Sequence, residues 1–277
     1  VKKIGILYHP KVEAARVSSS ELEGVLRREG LDAWLCSAWK PEDIAPLLPG
    51  TDLIVTVGGD GTILRGIQAV AEAGIPVIGV NLGKLGFMTE LTAPEAADKL
   101  RTVVAGEGWL DERTMLEATL APGGAPPRTC HALNDIVVAR GGIARIVRVA
   151  AAVDGTPYAV FKADAVVAAT ATGSTGYSLA AGGPVVFPQS RDILLTPVAP
   201  HLSTPYPLVL SGESTVLLRV ETYHEATVSI DGHINETLAD GDTVTIRRSP
   251  LVARFLRLRP RDAFFGTLEA RLKGNTR

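Results

Sequence analysis

Over its first 105 residues the chain alternates short apolar runs with stripes spaced for helices. Ile4–Tyr8, Ala33–Cys36, Leu53–Val57 and Val77–Val80 read as strands. Leu53–Val57 reads as a continuous run, apolar but for Thr56, of the kind covered on both faces of a parallel sheet. Between the strands, Ser20-Glu21-Leu22-Glu23 has the form of a capping box, followed by Leu22, Val25 and Leu26 as an apolar stripe and Gly30 as a stop. A second helix is expected from about Thr62, with Ile63, Leu64, Ile67, Val70 and Ala71 on one side and Gly74 at its end. A third opens at Thr92-Ala93-Pro94-Glu95 and closes at Gly106. Strands in alternation with helices imply right-handed crossovers and an open, mainly parallel α/β sheet.

From residue 106 to about 259 strand-like runs dominate. Leu116–Leu120, Ile136–Ala139, Ile146–Val153, Tyr158–Phe161, Val166–Ala169, Thr215–Val220, Thr227–Ile230, Thr243–Arg247 and Val252–Leu258 read as strands, with turns at Asp154-Gly155, Asp231-Gly232 and Asp240-Gly241. One helix is expected at Thr175–Ala181, and the tail Phe264–Lys273 reads as either a strand or a helix. The pattern therefore predicts an α/β domain over residues 1–105, completed by 260–277, and a β-rich domain over 106–259.

Composition narrows the class. The 277 residues carry 28 Lys and Arg against 30 Asp and Glu, with 46% hydrophobic and 21% charged residues. That balance excludes intrinsic disorder and lacks the basic excess of a general nucleic-acid binder. The longest apolar run, Ala163–Ala171, is interrupted by Asp164 and is too short for a membrane span. No signal peptide is read at the N-terminus. Cys36 and Cys130 have no metal-type or disulfide-framework spacing. A cytoplasmic protein with no nucleic-acid or membrane partner is expected.

Val57-Gly58-Gly59-Asp60-Gly61-Thr62 carries the sharpest chemical signal. It lies at the carboxyl end of a buried strand and opens a helix, where open α/β sheets bind ligands. Its glycines let backbone approach a ligand closely, and a helix N-terminus suits phosphate. A carboxylate there repels phosphate; Asp60 makes sense as a Mg²⁺ contact or as the base for an attacking hydroxyl. The plainer alternative is a tight strand–helix turn in which Asp60 is a cap. The segment is neither a Walker A loop nor a dinucleotide fingerprint. Thr172-Gly173-Ser174-Thr175-Gly176-Tyr177-Ser178-Leu179-Ala180-Ala181-Gly182-Gly183-Pro184 crowds small hydroxyl residues and glycines at the start of a short helix, with Tyr177 able to stack on a base or ribose. Because Thr172 holds the first glycine position, it is not a nucleophile elbow. Asn134-Asp135 offers a donor and acceptor for an adenine edge and a carboxylate for ribose hydroxyls, although such a pair before a strand is usually a turn. The five histidines show no metal-ligand spacing; His233, just past Asp231-Gly232, is the one to watch.

Taken in order, Gly58–Thr62, Asn81-Leu82-Gly83-Lys84-Leu85-Gly86-Phe87, Asn134-Asp135, Thr172–Pro184, Thr196-Pro197-Val198-Ala199-Pro200-His201 and Ser229-Ile230-Asp231-Gly232 resemble the motif set of NAD kinases, over residues 2–272. Gly-Gly-Asp-Gly alone is shared with diacylglycerol- and sphingosine-type lipid kinases, the alternative; the Thr172–Pro184 segment is the discriminating part.

The resemblance implies Mg²⁺-dependent transfer of the ATP γ-phosphoryl group to the 2′-hydroxyl of the adenosine ribose of NAD, in a cleft between the two domains. Asp60 would be catalytic, with Gly58, Gly59, Gly61, Thr62 and Arg65 near substrate phosphates. Asn134 would hold adenine and Asp135 a ribose. Arg145, Lys162 and Asp164 would contact the dinucleotide, and Thr175, Gly176, Tyr177, Ser178, Leu179 and Ala180 would line the adenosine pocket. His233 takes a position that is often Gln. No metal ligand is firmly assigned, and a homodimer or homotetramer is implied, often with site residues contributed across subunits. Ala165, Ala171, Gly176 and Ala180 depart from the family pattern by small-for-small changes.

Overall fold

A computed structural model describes residues 1–83, 86–121, 123, 126–142, 145–201 and 206–272. The chain divides into two compact units, Val1–Glu112 with Ala253–Arg277, and Arg113–Val252.

The first unit begins β1 (Lys3–Tyr8), α1 (Glu13–Arg28), β2 (Asp32–Ser37), α2 (Pro41–Ile44), β3 (Leu53–Val57), α3 (Asp60–Val70), β4 (Val77–Asn81), β5 (Leu91–Thr92) and α4 (Ala93–Val104). The strands pair in parallel in the order β2-β1-β3-β4, with β5 beside β4. Every residue of β3 and β4 is buried, as the largely apolar runs require. Ile4, Ile6, Val55, Val57 and Ile78 pack with Leu22 and Leu26 of α1 and Leu100 of α4. At Thr92, where a helix start is expected, a capping box forms: Glu95 Oε1 accepts from the Thr92 N–H at 2.8 Å and the Thr92 side chain accepts from the N3 amide.

The expectation at Ser20 needs correction. α1 starts seven residues earlier, at Glu13, with Val12 as an uncapped N-cap, and Ser20 sits in mid-helix. Ala15, Ser19, Leu22 and Leu26 form its buried stripe, while Val25 is half-buried. Alanines, with no side-chain entropy to lose, carry the first turns without a large apolar residue to mark them. The stop stands as expected: Leu31 N–H reaches Leu26 O at 3.2 Å and Gly30 N–H reaches Arg27 O at 3.0 Å, the paired bonds of a glycine-terminated helix.

The second half of the chain carries β6 (Trp109–Ala121), β7 (Arg128–Ala132), β8 (Asp135–Arg140), β9 (Val147–Val153), β10 (Thr156–Ala163), β11 (Ala165–Ala169), α5 (Tyr177–Ala180), β12 (Ile193–Val198), β13 (Leu208–Leu210), β14 (Val216–Val220), β15 (Ala226–Ile230), β16 (Ile234–Leu238) and β17 (Thr243–Arg257). Within the second unit, β10-β9-β14-β17 form one antiparallel array, and β13-β12-β11-β8-β15-β16 form another. Val149, Phe161, Leu218 and Ile246 from the first, with Leu116 of β6, interlock with Ile136, Val166, Leu195 and Val228 from the second. The far side of the second sheet buries Val137, Ala165, Val167, Ala169 and Leu194, with Val186 packed on them. Being covered on both sides, β11 is buried along its whole length.

Sequence patterning overlooks β7, β12, β13 and β16. Arg128–Ala132 and Ile234–Leu238 are largely polar, and Pro197 interrupts the run of β12. The two strands expected at Thr243–Arg247 and Val252–Leu258 are one continuous strand. The helix expected over Thr175–Ala181 is instead a 3₁₀ turn, Gly173–Thr175, followed by the short α5. The tail is helical, α6 (Ala263–Leu272), and Lys273 lies outside the described residues. In the first unit Phe255 of β17 pairs in parallel with Val77 of β4.

Candidate active site

Two clusters of candidate residues form, one in each unit. In the first, β3 delivers the chain to Gly58, whose φ of +153° suits glycine and whose N–H donates to Val80 O at 2.9 Å. A side chain at 58 would meet Thr62 Oγ1 at 2.3 Å. Asp60 is the first residue of α3 and caps no amide of its own helix; Gly59 is the N-cap. The turn-cap reading of Asp60 is thereby replaced. Its Oδ2 accepts from Phe87 N–H at 3.0 Å and its Oδ1 from Met88 N–H at 3.3 Å. Gly86 lies so close that a Cβ there would sit 2.3 Å from Oδ1, and Gly86 N–H donates to Thr89 Oγ1 at 2.8 Å. Asn81, at the end of β4, starts the same loop by accepting from Gly83 N–H at 3.0 Å. The Asn81–Phe87 motif thus grips the carboxylate of the Gly58–Thr62 motif; Lys84 and Leu85 lie outside the described residues.

Space beside Gly59 and Gly61 is open, so a ligand can approach the backbone there. The buried Thr62 Oγ1 has no hydrogen-bond partner. Arg65, one turn into α3, lays its guanidinium 4.4 Å from the Trp39 ring centroid, and His9 stacks on the same ring at 4.3 Å. Desolvation holds the Arg65 pKa below its ordinary value.

In the second unit Asn134-Asp135 enters β8 and is fixed by Asp231. The Asp231 carboxylate accepts three backbone N–H groups, from Leu133 at 2.8 Å, Asn134 at 2.7 Å and Asp135 at 3.1 Å. Thr170 ties the end of β11 to the same turn: its N–H donates to Asn134 O at 2.9 Å and its hydroxyl to Leu133 O at 2.6 Å. Gly173 packs directly on Asn134, where a Cβ would fall 2.1 Å from the Asn134 carbonyl oxygen. A Cβ at Gly176 would stand 3.9 Å from Asp135 Oδ2 and 4.0 Å from Asn134 Nδ2. Asn134, Asp135 and Gly176 therefore converge. Asn134 Oδ1 is buried without a partner. Burial, seconded by the Asp231 carboxylate, pushes the Asp135 carboxyl up to about 7.

Of the α5 segment, Tyr177 and Ala180 are exposed, while Thr175 and Leu179 are half-buried. Ser178 is buried, with its hydroxyl 3.0 Å from Thr196 Oγ1, so it braces the loop. His233 sits 3.1 Å, through Nδ1, from Asp231 O. A carbonyl only accepts, so Nδ1 is the donor in that contact.

Three expected residues are not brought to this cluster. Asp164 precedes β11, six residues and about 20 Å of strand from Thr170, and pairs with Arg140 Nε at 3.5 Å. Lys162 is exposed on β10, and the exposed Arg145 contacts His224 at 2.8 Å.

Sequence reading missed the amides of Phe87 and Met88, the Thr170 brace and the anchoring role of Asp231. Backbone amides leave no side-chain signature; Asp231 stands out in the sequence as half of a turn and within the Ser229–Gly232 motif, neither of which shows what it holds. Among the described residues, no three His, Cys, Asp or Glu side chains gather as metal ligands. No helix among them is long and apolar enough to cross a membrane.

Family models match both halves of the chain. The ATP-NAD kinase N-terminal domain matches residues 13–108, and the ATP-NAD kinase C-terminal domain matches 133–258. An NAD kinase of Dehalococcoides mccartyi (strain CBDB1) is 49% identical over 275 residues, 99% of this chain and 97% of the relative. The chain belongs to the NAD kinase family. An NAD kinase of Chloroflexus aurantiacus (strain ATCC 29366 / DSM 635 / J-10-fl) is 38% identical, covering 99% of both chains. Among solved structures, yeast NADH kinase complexed with NADH matches with a TM-score of 0.87 at 26% identity, over 100% of this chain and 89% of that one. An Archaeoglobus fulgidus NAD kinase in complex with ATP matches with a TM-score of 0.78 at 28% identity, over 98% of each. The chain is an enzyme with NAD kinase activity, and these comparisons give no support to a lipid kinase.

Proposed function

We propose that the chain moves the γ-phosphoryl group of ATP to the 2′-hydroxyl of the adenosine ribose of NAD, with Asp60 as the catalytic residue. The observation that carries this role is the Asp60 carboxylate, aimed by the amides of Phe87 and Met88 beside the open backbone of Gly59 and Gly61. In this reading the hydroxyl proton passes to Asp60 as the 2′ oxygen bonds to the γ-phosphorus. The bond from that phosphorus to the bridging oxygen breaks, and ADP leaves. Positioning and charge neutralisation supply most of the rate in such reactions.

Asn134 presents its amide to the adenine edge, and Asp135 accepts from ribose hydroxyls. The unpartnered Asn134 Oδ1 supports that assignment, because a buried acceptor without a donor is costly until a ligand supplies one. Gly176 leaves room beside both, Tyr177 offers an exposed ring for stacking, and Thr175, Leu179 and Ala180 line the rest.

The donor set suits Mg²⁺, which keeps several waters and takes one or two carboxylates together with substrate phosphates. Asp60 would be its protein contact, since each oxygen accepts one amide and retains a second lone pair. When bound, the ion would neutralise charge on the transferring phosphoryl group. Arg65 contributes positive charge to the phosphates. We further propose a cytoplasmic homodimer or homotetramer, in which Arg145, Lys162 and Asp164 of one copy serve the dinucleotide held by another. Their separation from the Asn134 turn favours that arrangement over service within one copy.

Asp60→Asn keeps the amide contacts in part and removes the base. NADP formation from NAD and ATP should fall by about 10²-fold or more, the scale of general-base catalysis. NAD binding, followed by calorimetry, should stay within about twofold of the parent. Undiminished turnover in this variant would remove Asp60 from the reaction.

A further inference from the structure

Arg257 lies at the end of β17, 7% exposed, and takes no part in the reaction described above. Its Nη1 donates to Met88 O at 2.8 Å and to Glu90 Oε2 at 3.2 Å, and its Nε donates to Asp111 Oδ2 at 3.2 Å. Glu90 and Asp111 are 4% and 2% exposed. Glu90 is held in turn, with Oε1 accepting from Leu258 N–H at 2.9 Å and Arg259 N–H at 2.7 Å. The Arg257 guanidinium carbon also rests 4.7 Å from the Phe255 ring centroid. A guanidinium with two buried carboxylates and an aromatic face around it has little freedom to turn.

The contact that matters is the one to Met88. Met88 gives its N–H to Asp60 Oδ1 and its C=O to Arg257. One residue is therefore pinned at both ends, to the carboxylate on one side and to a buried cation on the other. In the same loop Gly86 N–H closes on Thr89 Oγ1 and Phe87 N–H donates to Asp60 Oδ2. For stability alone, Arg257 needs only its two carboxylates; the bond to Met88 reaches the segment that aims Asp60. We infer that Arg257 is a positioning residue for the Asp60 carboxylate, acting through Met88. The inference rests on the catalytic reading of Asp60 and adds to it the element that fixes that group.

A lysine at 257 keeps a positive charge but lacks the planar fork that serves Met88, Glu90 and Asp111 together. In Arg257→Lys, kcat should fall about tenfold or more while KM for NAD and for ATP stays within about twofold, because the loss is one of aim. The decisive arm is the pair with Asp60→Asn. Where Asp60 no longer acts as base, Arg257→Lys should lower the residual rate no further than about twofold. Equal losses in both backgrounds would overturn the inference, as would an unchanged kcat in Arg257→Lys. If Asp60→Asn is itself fully active, the catalytic reading fails, which is a different result from Arg257→Lys being silent while Asp60→Asn is crippled. Should Arg257→Lys not fold, Arg257→Gln carries the same expectations. Failure of both to fold assigns Arg257 to stability and overturns the positioning role.

Discussion

Asp135 should make the protein lose stability as the pH rises through neutrality. The residue is 7% exposed, and burial, with the neighbouring Asp231 carboxylate, lifts its carboxyl from 3.8 to about 7. The folded protein therefore holds a proton that the unfolded chain has released. Stability from this group is complete below the unfolded value and declines as pH climbs toward the folded one. The whole decline, about three pH units at 1.36 kcal/mol each, is on the order of 4 kcal/mol. Between pH 5 and pH 8 about 3 kcal/mol of it is lost. Asp135→Asn is nearly isosteric with the protonated acid and cannot titrate. Urea midpoints of parent and variant, measured side by side from pH 5 to 8, isolate the effect, because all other titrations are common to both. Midpoints are preferable to extrapolated free energies in a chain of two compact units, where two-state unfolding is not assured. The variant should gain on the parent steadily as pH rises and level off above about pH 7. A gap that stays constant within about 0.5 kcal/mol, the additivity error for such comparisons, would refute the reasoning. So would a gap that moves the other way, which is the behaviour of a carboxylate stabilised in its charged form.

Two glycines test the close approaches at the sites. Gly86→Ala should leave melting behaviour nearly intact while cutting NADP formation about tenfold or more, since the new methyl group meets Asp60 Oδ1 at 2.3 Å and the side chain can yield only by losing its aim. Unchanged kcat would deny that this packing matters. Gly173→Ala faces backbone instead, 2.1 Å from Asn134 O, and should cost about 1–3 kcal/mol by overpacking together with weaker NAD binding. Thermal unfolding and calorimetry would expose the error if both stay at parental values.

Legibility in the sequence followed the strength of the local signal. β3 is found to the residue because four apolar residues and Thr56 run between Asp52 and the turn glycine Gly58. The helix start at Thr92-Ala93-Pro94-Glu95 is found, and there Thr92 and Glu95 close a capping box. The same pattern misleads at Ser20, where tertiary burial of Ala15 and Ser19 extends the helix past a competent start signal. β16, with Asn, Glu and Thr in its five residues, pairs with β15 through backbone that composition does not advertise. At the site, Asp60 and Asn134-Asp135 were visible, but the groups that hold them were not. The partners are the Phe87 and Met88 amides for Asp60 and the Asp231 carboxylate for the Asn134 turn, brought there by long-range contacts that no short motif records.

The four Asp-Gly steps of the chain make the same point physically. Asp154-Gly155 has φ of +50° and +78° and closes a two-residue hairpin between Val153 and Thr156. Asp240-Gly241 precedes Asp242, whose carboxylate takes the Ala239 and Gly123 amides, so its acidic chemistry lies one residue past the turn. Asp231-Gly232 turns β15 into β16, with φ of +48° and +70°, and in doing so aims a carboxylate at three amides of the Asn134 turn. Asp60-Gly61 alone begins a helix of several turns, and its carboxylate is held by a loop contributed from beyond β4. A carboxylate that spends its acceptors on three amides is a brace, because little capacity remains for a ligand. One held by a single amide on each oxygen is fixed in direction yet still able to accept a proton or a cation. The count of lone pairs left over, more than the dipeptide, is what separates Asp60 from Asp231 as the reacting group.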